Sequence, residues 1–122
     1  MTEPVAISET DRLIASDKVE GTRVYNLDGE RLGSIRNFMV HKRSGRVEYA
    51  VMEFGGILGI GNEYYPLPWD MLDYEEAQGG YVVDIDKDKL EGAPRYRDRD
   101  PVWDEVYARQ VYGYYGMPFP VF

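Results

Sequence analysis

The sequence predicts a mainly β domain: a small barrel of short strands, then a C-terminal helix and an apolar tail. Three observations carry this. Short apolar runs recur between turn-forming pairs such as Asp28-Gly29 and Ser44-Gly45, at the spacing of a small all-β domain. No strand-like run alternates with a long helical pattern, which excludes a doubly wound parallel sheet. After Asp100-Pro101 the apolar spacing changes to that of a helix.

In chain order, residues 1–12 show no periodicity and read as a flexible arm, with regular structure expected from near Leu13. Val24 to Leu27 reads as a first strand, ended by Asp28-Gly29. A second runs from about Arg31 to Lys42, and its alternation breaks near Asn37-Phe38, where a bulge or bend is expected. Arg46 to Phe54 is a third. Ala50, Met52 and Phe54 share one of its faces, and Val47, Tyr49 and Val51 the other. Two apolar faces place that strand at the centre of the barrel.

Gly55 to Asn62 holds four glycines in eight positions and reads as a tight inter-strand connection. No Lys-Ser/Thr pair or helix follows it, so it lacks the features of a phosphate cradle. If Ile57 and Leu58 at its tip are exposed, they form a partner-binding point. Glu63 to Leu67 is the fourth strand, and Pro68-Trp69-Asp70 turns the chain. Met71–Tyr74 and Tyr81–Ile85 are the last two strands, and Lys87 to Gly92 reads as one helical turn. A longer helix is expected to start at Asp100-Pro101 and stop at Gly113.

Composition narrows the function classes. The 122 residues contain no cysteine, so disulfides and thiolate metal sites are impossible. The net charge of −8 works against general nucleic-acid binding. Yet five cations, Arg31, Arg36, Lys42, Arg43 and Arg46, stand between Arg31 and Val47 with no acid among them. They read as a solvated face or as a small basic docking patch. No apolar run approaches a membrane span, and Met1-Thr2-Glu3-Pro4 does not resemble a signal peptide. The expected compartment is the cytoplasm.

Chemistry-bearing motifs are sparse. Asp84-x-Asp86-x-Asp88 copies the opening of a calcium loop, but Lys89 and Arg95 stand where a glycine and a bidentate glutamate are needed. Asp73, Glu75 and Glu76 have no nucleophile or base beside them in sequence, and His41 is the single histidine. No catalytic constellation, metal site or cofactor is expected. Tyr64, Tyr65 and Trp69 read as core and rim rather than as a base-stacking platform.

Several quoted stretches together resemble one family. They are Gly21-Thr22-Arg23-Val24-Tyr25 with Asp28-Gly29, Leu32-Gly33-Ser34-Ile35, Ser44-Gly45-Arg46-Val47 and Tyr49-Ala50-Val51. Phe54-Gly55-Gly56, Leu58-Gly59-Ile60-Gly61, Pro66-Leu67-Pro68-Trp69 and the exit Leu90-Glu91-Gly92-Ala93-Pro94 complete the set. From about residue 13 to 96 the chain resembles the PRC-barrel family, named for the cytoplasmic domain of the photosynthetic reaction centre H subunit. The resemblance implies a six-stranded PRC-type β-barrel used as an interaction module. It brings two alternatives with it: an RNA- or ribosome-associated adaptor using the basic 31–46 hairpin, and an accessory of photosynthetic complexes.

Residues 97–122 lie outside that resemblance. Trp103, Val106, Tyr107 and Val111 lie along the expected helix with Tyr114 and Tyr115 just past its expected stop, and Val111 to Phe122 carries no charge. An apolar segment with Phe119 and Phe122 near its end must dock, either on its own barrel or on a second subunit. A homodimer or higher homo-oligomer, or an unidentified protein partner, is the expected consequence.

Overall fold

The computed structural model describes residues 13–54 and 62–119. The expected arm, the glycine-rich segment with Ile57 and Leu58, and Phe122 lie outside the described residues. A four-residue helix, α1 (Ser16–Val19), precedes six strands: β1 (Arg23–Tyr25), β2 (Arg31–Val40), β3 (Val47–Phe54), β4 (Glu63–Pro68), β5 (Asp73–Glu75) and β6 (Gly80–Val82). Two helices follow, α2 (Lys87–Glu91) and α3 (Glu105–Tyr115).

The strands form one sheet in the order β4-β3-β2-β1-β6-β5. All pairs are antiparallel except β1 with β6. The expected closure into a barrel is not made: among the described residues β4 and β5 are its two ends and do not pair. The reason lies in the edges. Along β4, Tyr64 exchanges both backbone hydrogen bonds with Tyr96 of the exit segment, at 2.9 and 3.0 Å. At the other end β5 is three residues long and fully exposed, Asp73-Tyr74-Glu75, a short charged edge of the kind that discourages further pairing.

The bulge expected near Asn37-Phe38 is present, as a register shift between Ile35 and Asn37 opposite β3. Gly33, just before it, allows β2 and β3 to approach, since a methyl there would run into the Glu53 carbonyl. Turn chemistry is more specific than the Asp28-Gly29 pair suggested. Asn26 is buried, and its side-chain oxygen accepts from the backbone N–H groups of Asp28 (3.0 Å) and Glu30 (2.9 Å). It acts as a turn organiser rather than a strand residue.

One face of the sheet builds the main core, from Val24, Leu32, Ile35, Ala50, Met52, Tyr65, Leu67, Tyr81 and Val83. Leu90 of α2 and Ala93 close it from the side. Ala50 and Met52 share this face, as the alternation predicted, while Tyr49 points into a second cluster with Ala108, Val111 and Tyr112 of α3. The sheet is therefore covered on both sides at β3.

Some boundaries move. Pro68 belongs to β4, and Trp69–Met71 is a 3-10 turn, so the fifth strand begins at Asp73 rather than Met71. Val83 to Ile85 leaves the ladder after Val82. The α2 turn stands as expected, with Asp86 accepting from the Lys89 N–H at 2.7 Å.

Candidate functional site

The apolar C-terminal segment is the place to build from. The expected helix start at Asp100-Pro101 is corrected: α3 is capped by Asp104, whose side chain accepts from the Tyr107 N–H at 2.9 Å. Residues 100–102 remain outside the helix because Trp103 must first reach the sheet. Its ring packs against Tyr49 (5.4 Å between centroids) and Tyr96 (5.8 Å). The expected stop at Gly113 is also corrected. The helix runs on to Tyr115 and ends at Gly116, whose φ of 69° is the left-handed cap that glycine adopts freely.

Amphipathicity decides which residues of this segment stay available. Val111 and Ala108 are buried, and Tyr112 is buried with its hydroxyl donating to the Glu48 carbonyl at 2.7 Å. Tyr107 and Tyr115 are half-buried, and burial pushes the Tyr107 phenol up to about 12. Tyr114 reaches α2, where its hydroxyl donates to the Lys89 carbonyl and its ring lies 4.2 Å from the Lys89 ammonium. Val111, Tyr114 and Tyr115 are thus engaged inside the chain. The outer side is different: Val102 is 74% exposed and Val106 75%, and Phe119 is exposed with Arg109 over its ring at 4.5 Å.

The five basic residues are all exposed but do not converge. Arg31 opens β2, and Lys42, Arg43 and Arg46 stand on the turn beyond its other end, which ten residues place about 30 Å away. Arg36 lies between them and stacks over Tyr64, 4.0 Å from the ring centroid. Only the Lys42, Arg43, Arg46 trio shares one turn.

That turn borders a cavity which sequence reasoning missed. Of about 430 Å³, it lies between the β2–β3 turn and Trp103, with His41, Lys42, Arg43, Glu48 and Tyr49 in its walls. A neighbouring depression of about 340 Å³ shares His41, Glu48 and Trp103 and continues to Asp104, Glu105 and Phe119. His41, the single histidine, is part-exposed and meets Glu48 at 3.4 Å. Tyr49 is 2% exposed, and its enclosed hydroxyl lies beside Glu48 without closing a well-formed hydrogen bond among the described residues. Burial first, then the Glu48 charge, pushes that phenol well above its ordinary range, so it remains a donor. The available signal was the meeting of the lone histidine with a Lys-Arg pair on one strand end, but nothing in the chain's spacing joins that end to Trp103, more than fifty residues later.

The acidic motifs resolve structurally. Asp86 caps α2, Asp84 and Asp88 are exposed, and Asp73, Glu75 and Glu76 lie on or beside the exposed β5 edge. Trp69 packs edge-on to Phe38 and Tyr81, and Tyr65 is buried, so the three aromatics form no open platform. Among the described residues no helix is long and apolar enough to cross a membrane.

Compared with known proteins, residues 11–90 match the family model described as the PRC-barrel domain. An uncharacterised protein of Deinococcus radiodurans is 25% identical over 91 residues, which make up 75% of this chain and 30% of that relative. The chain therefore covers less than a third of the relative's length, and α3 lies beyond the residues matched to the family model.

Proposed function

The chain belongs to the PRC-barrel domain family, and from that premise we propose that it is a non-enzymatic protein-interaction module that self-associates through the outer side of its C-terminal segment. The observation that carries this is the division of α3 into two sides. Ala108, Val111 and Tyr112 are buried against the sheet, while Val106 in the first turn of the helix and Val102 just before it stand about three quarters exposed, and Phe119 past the helix is exposed as well. Single exposed apolar residues are ordinary, but three large ones gathered on one short C-terminal segment supply an association surface.

The test is sedimentation of the full chain beside the double variant Val102→Asp/Val106→Asp. Both positions are exposed, so the variant keeps its fold. The full chain should sediment as a dimer or larger species, and the variant as a monomer at the same concentration. A monomeric full chain at the highest soluble concentration defeats the reading.

A further inference from the structure

The cavity between the β2–β3 turn and Trp103 has features that the self-association reading does not use. Its volume of about 430 Å³ is in the range that holds small ligands. Two cations border it, Lys42 and Arg43, and among the described residues neither makes an ion pair. The one carboxylate in its walls, Glu48, is already engaged by His41 at 3.4 Å. Tyr49 also lines the cavity, with its hydroxyl enclosed by the protein. Trp103, half-buried, tilted against Tyr49 and braced edge-on by Tyr96 and Tyr107, adds a rigid aromatic wall.

The geometry points to a binding site for a small aromatic carboxylate, its ring against Trp103 and its charge facing Lys42 and Arg43. The charge balance selects a single carboxylate over a phosphate. Glu48 stands in the wall and the chain carries a net charge of −8, both of which penalise a multiply charged anion. A ring without a charge would leave Lys42 and Arg43 unanswered.

The experiment follows backbone amides and the Trp103 indole N–H of the full chain by NMR while phenylacetate is added. 2-Phenylethylamine (the same ring on a cation) and inorganic phosphate (an anion without a ring) serve as the other arms. Phenylacetate should give saturable shifts at residues 41–49 and Trp103, with a Kd of about 1 mM, as suits a ligand of this size. Lys42→Ala/Arg43→Ala should weaken binding about tenfold, the loss expected of charge-assisted contacts. The proposal is overturned by absent shifts, by equal shifts with the amine or with phosphate, or by unchanged affinity in the double variant. None of these outcomes bears on sedimentation, so the two readings fail separately.

Discussion

Glu63 shows how one side chain holds a chain crossing in place. It opens β4 and faces Arg95 at 2.6 Å and Arg97 at 3.0 Å, while the Tyr65 hydroxyl donates to it from 3.4 Å. The Arg97 hydrogen bond, then the charges of both arginines, hold its carboxyl below the ordinary value of 4.5, outweighing the opposing effect of burial. A depressed carboxylate stabilises the fold fully above its unfolded value and loses that contribution as pH falls through the lower folded value. Glu63→Gln should therefore cost about 1 kcal/mol at neutral pH, a figure kept small because both arginines are well exposed. The gap between the two proteins in urea midpoint should close on acidification below about pH 4. A gap that stays constant across that range would show that the pair contributes no pH-linked stability. The sequence displayed Arg95 and Arg97 as ordinary surface charge. Their partner lies more than thirty residues earlier, and no local pattern reports that distance.

At the scale of elements, α3 was legible in kind but not at its ends. Helical spacing of Val111 and Tyr114, with apolar and charged residues segregated, identifies an amphipathic helix. Asp100-Pro101 and Gly113 are good local signals as well, yet Asp104 and Gly116 are the caps used. Tertiary packing decided this: Trp103 must contact Tyr49 before the backbone can coil. Asp104→Ala should cost about 1 kcal/mol as a lost N-cap, and Asp100→Ala close to nothing, when both are followed by thermal unfolding. Equal losses would return the helix start to Asp100. The two valines of the helix make a matching contrast. Val111→Ala removes fully buried methyls and should cost about 2 kcal/mol, whereas Val106→Ala should stay within about 0.5 kcal/mol. The comparison belongs in a sample dilute enough to be monomeric, where a substantial stability loss at Val106 would mean that its side chain packs within its own chain.

At the scale of the whole molecule, periodicity reports which residues share a face but not what covers that face. The alternation on β3 separated Ala50 and Met52 from Tyr49 correctly, and turn pairs located all six strands to within a few residues. Closure into a barrel did not follow, because which edges meet is a long-range matter. The exit segment takes the β4 edge through Tyr96, and β5 is too short and too charged to reach across. The second face of β3 is covered by α3, a segment beyond the residues that match the family model. It follows that the helix is part of the folding unit and not an appendage. A chain ending at residue 96 would uncover Tyr49 and strand the Glu48 carbonyl that Tyr112 now satisfies. Exposing one buried aromatic of about 150 Å² costs on the order of 4 kcal/mol, a large share of the roughly 5–15 kcal/mol that holds a domain together. The shortened chain should lose its cooperative thermal transition or unfold at a markedly lower temperature, and should bind a hydrophobic dye that the full chain does not. If it instead melts at the temperature of the full chain, α3 is dispensable to the fold, and its packing on β3 contributes position without stability.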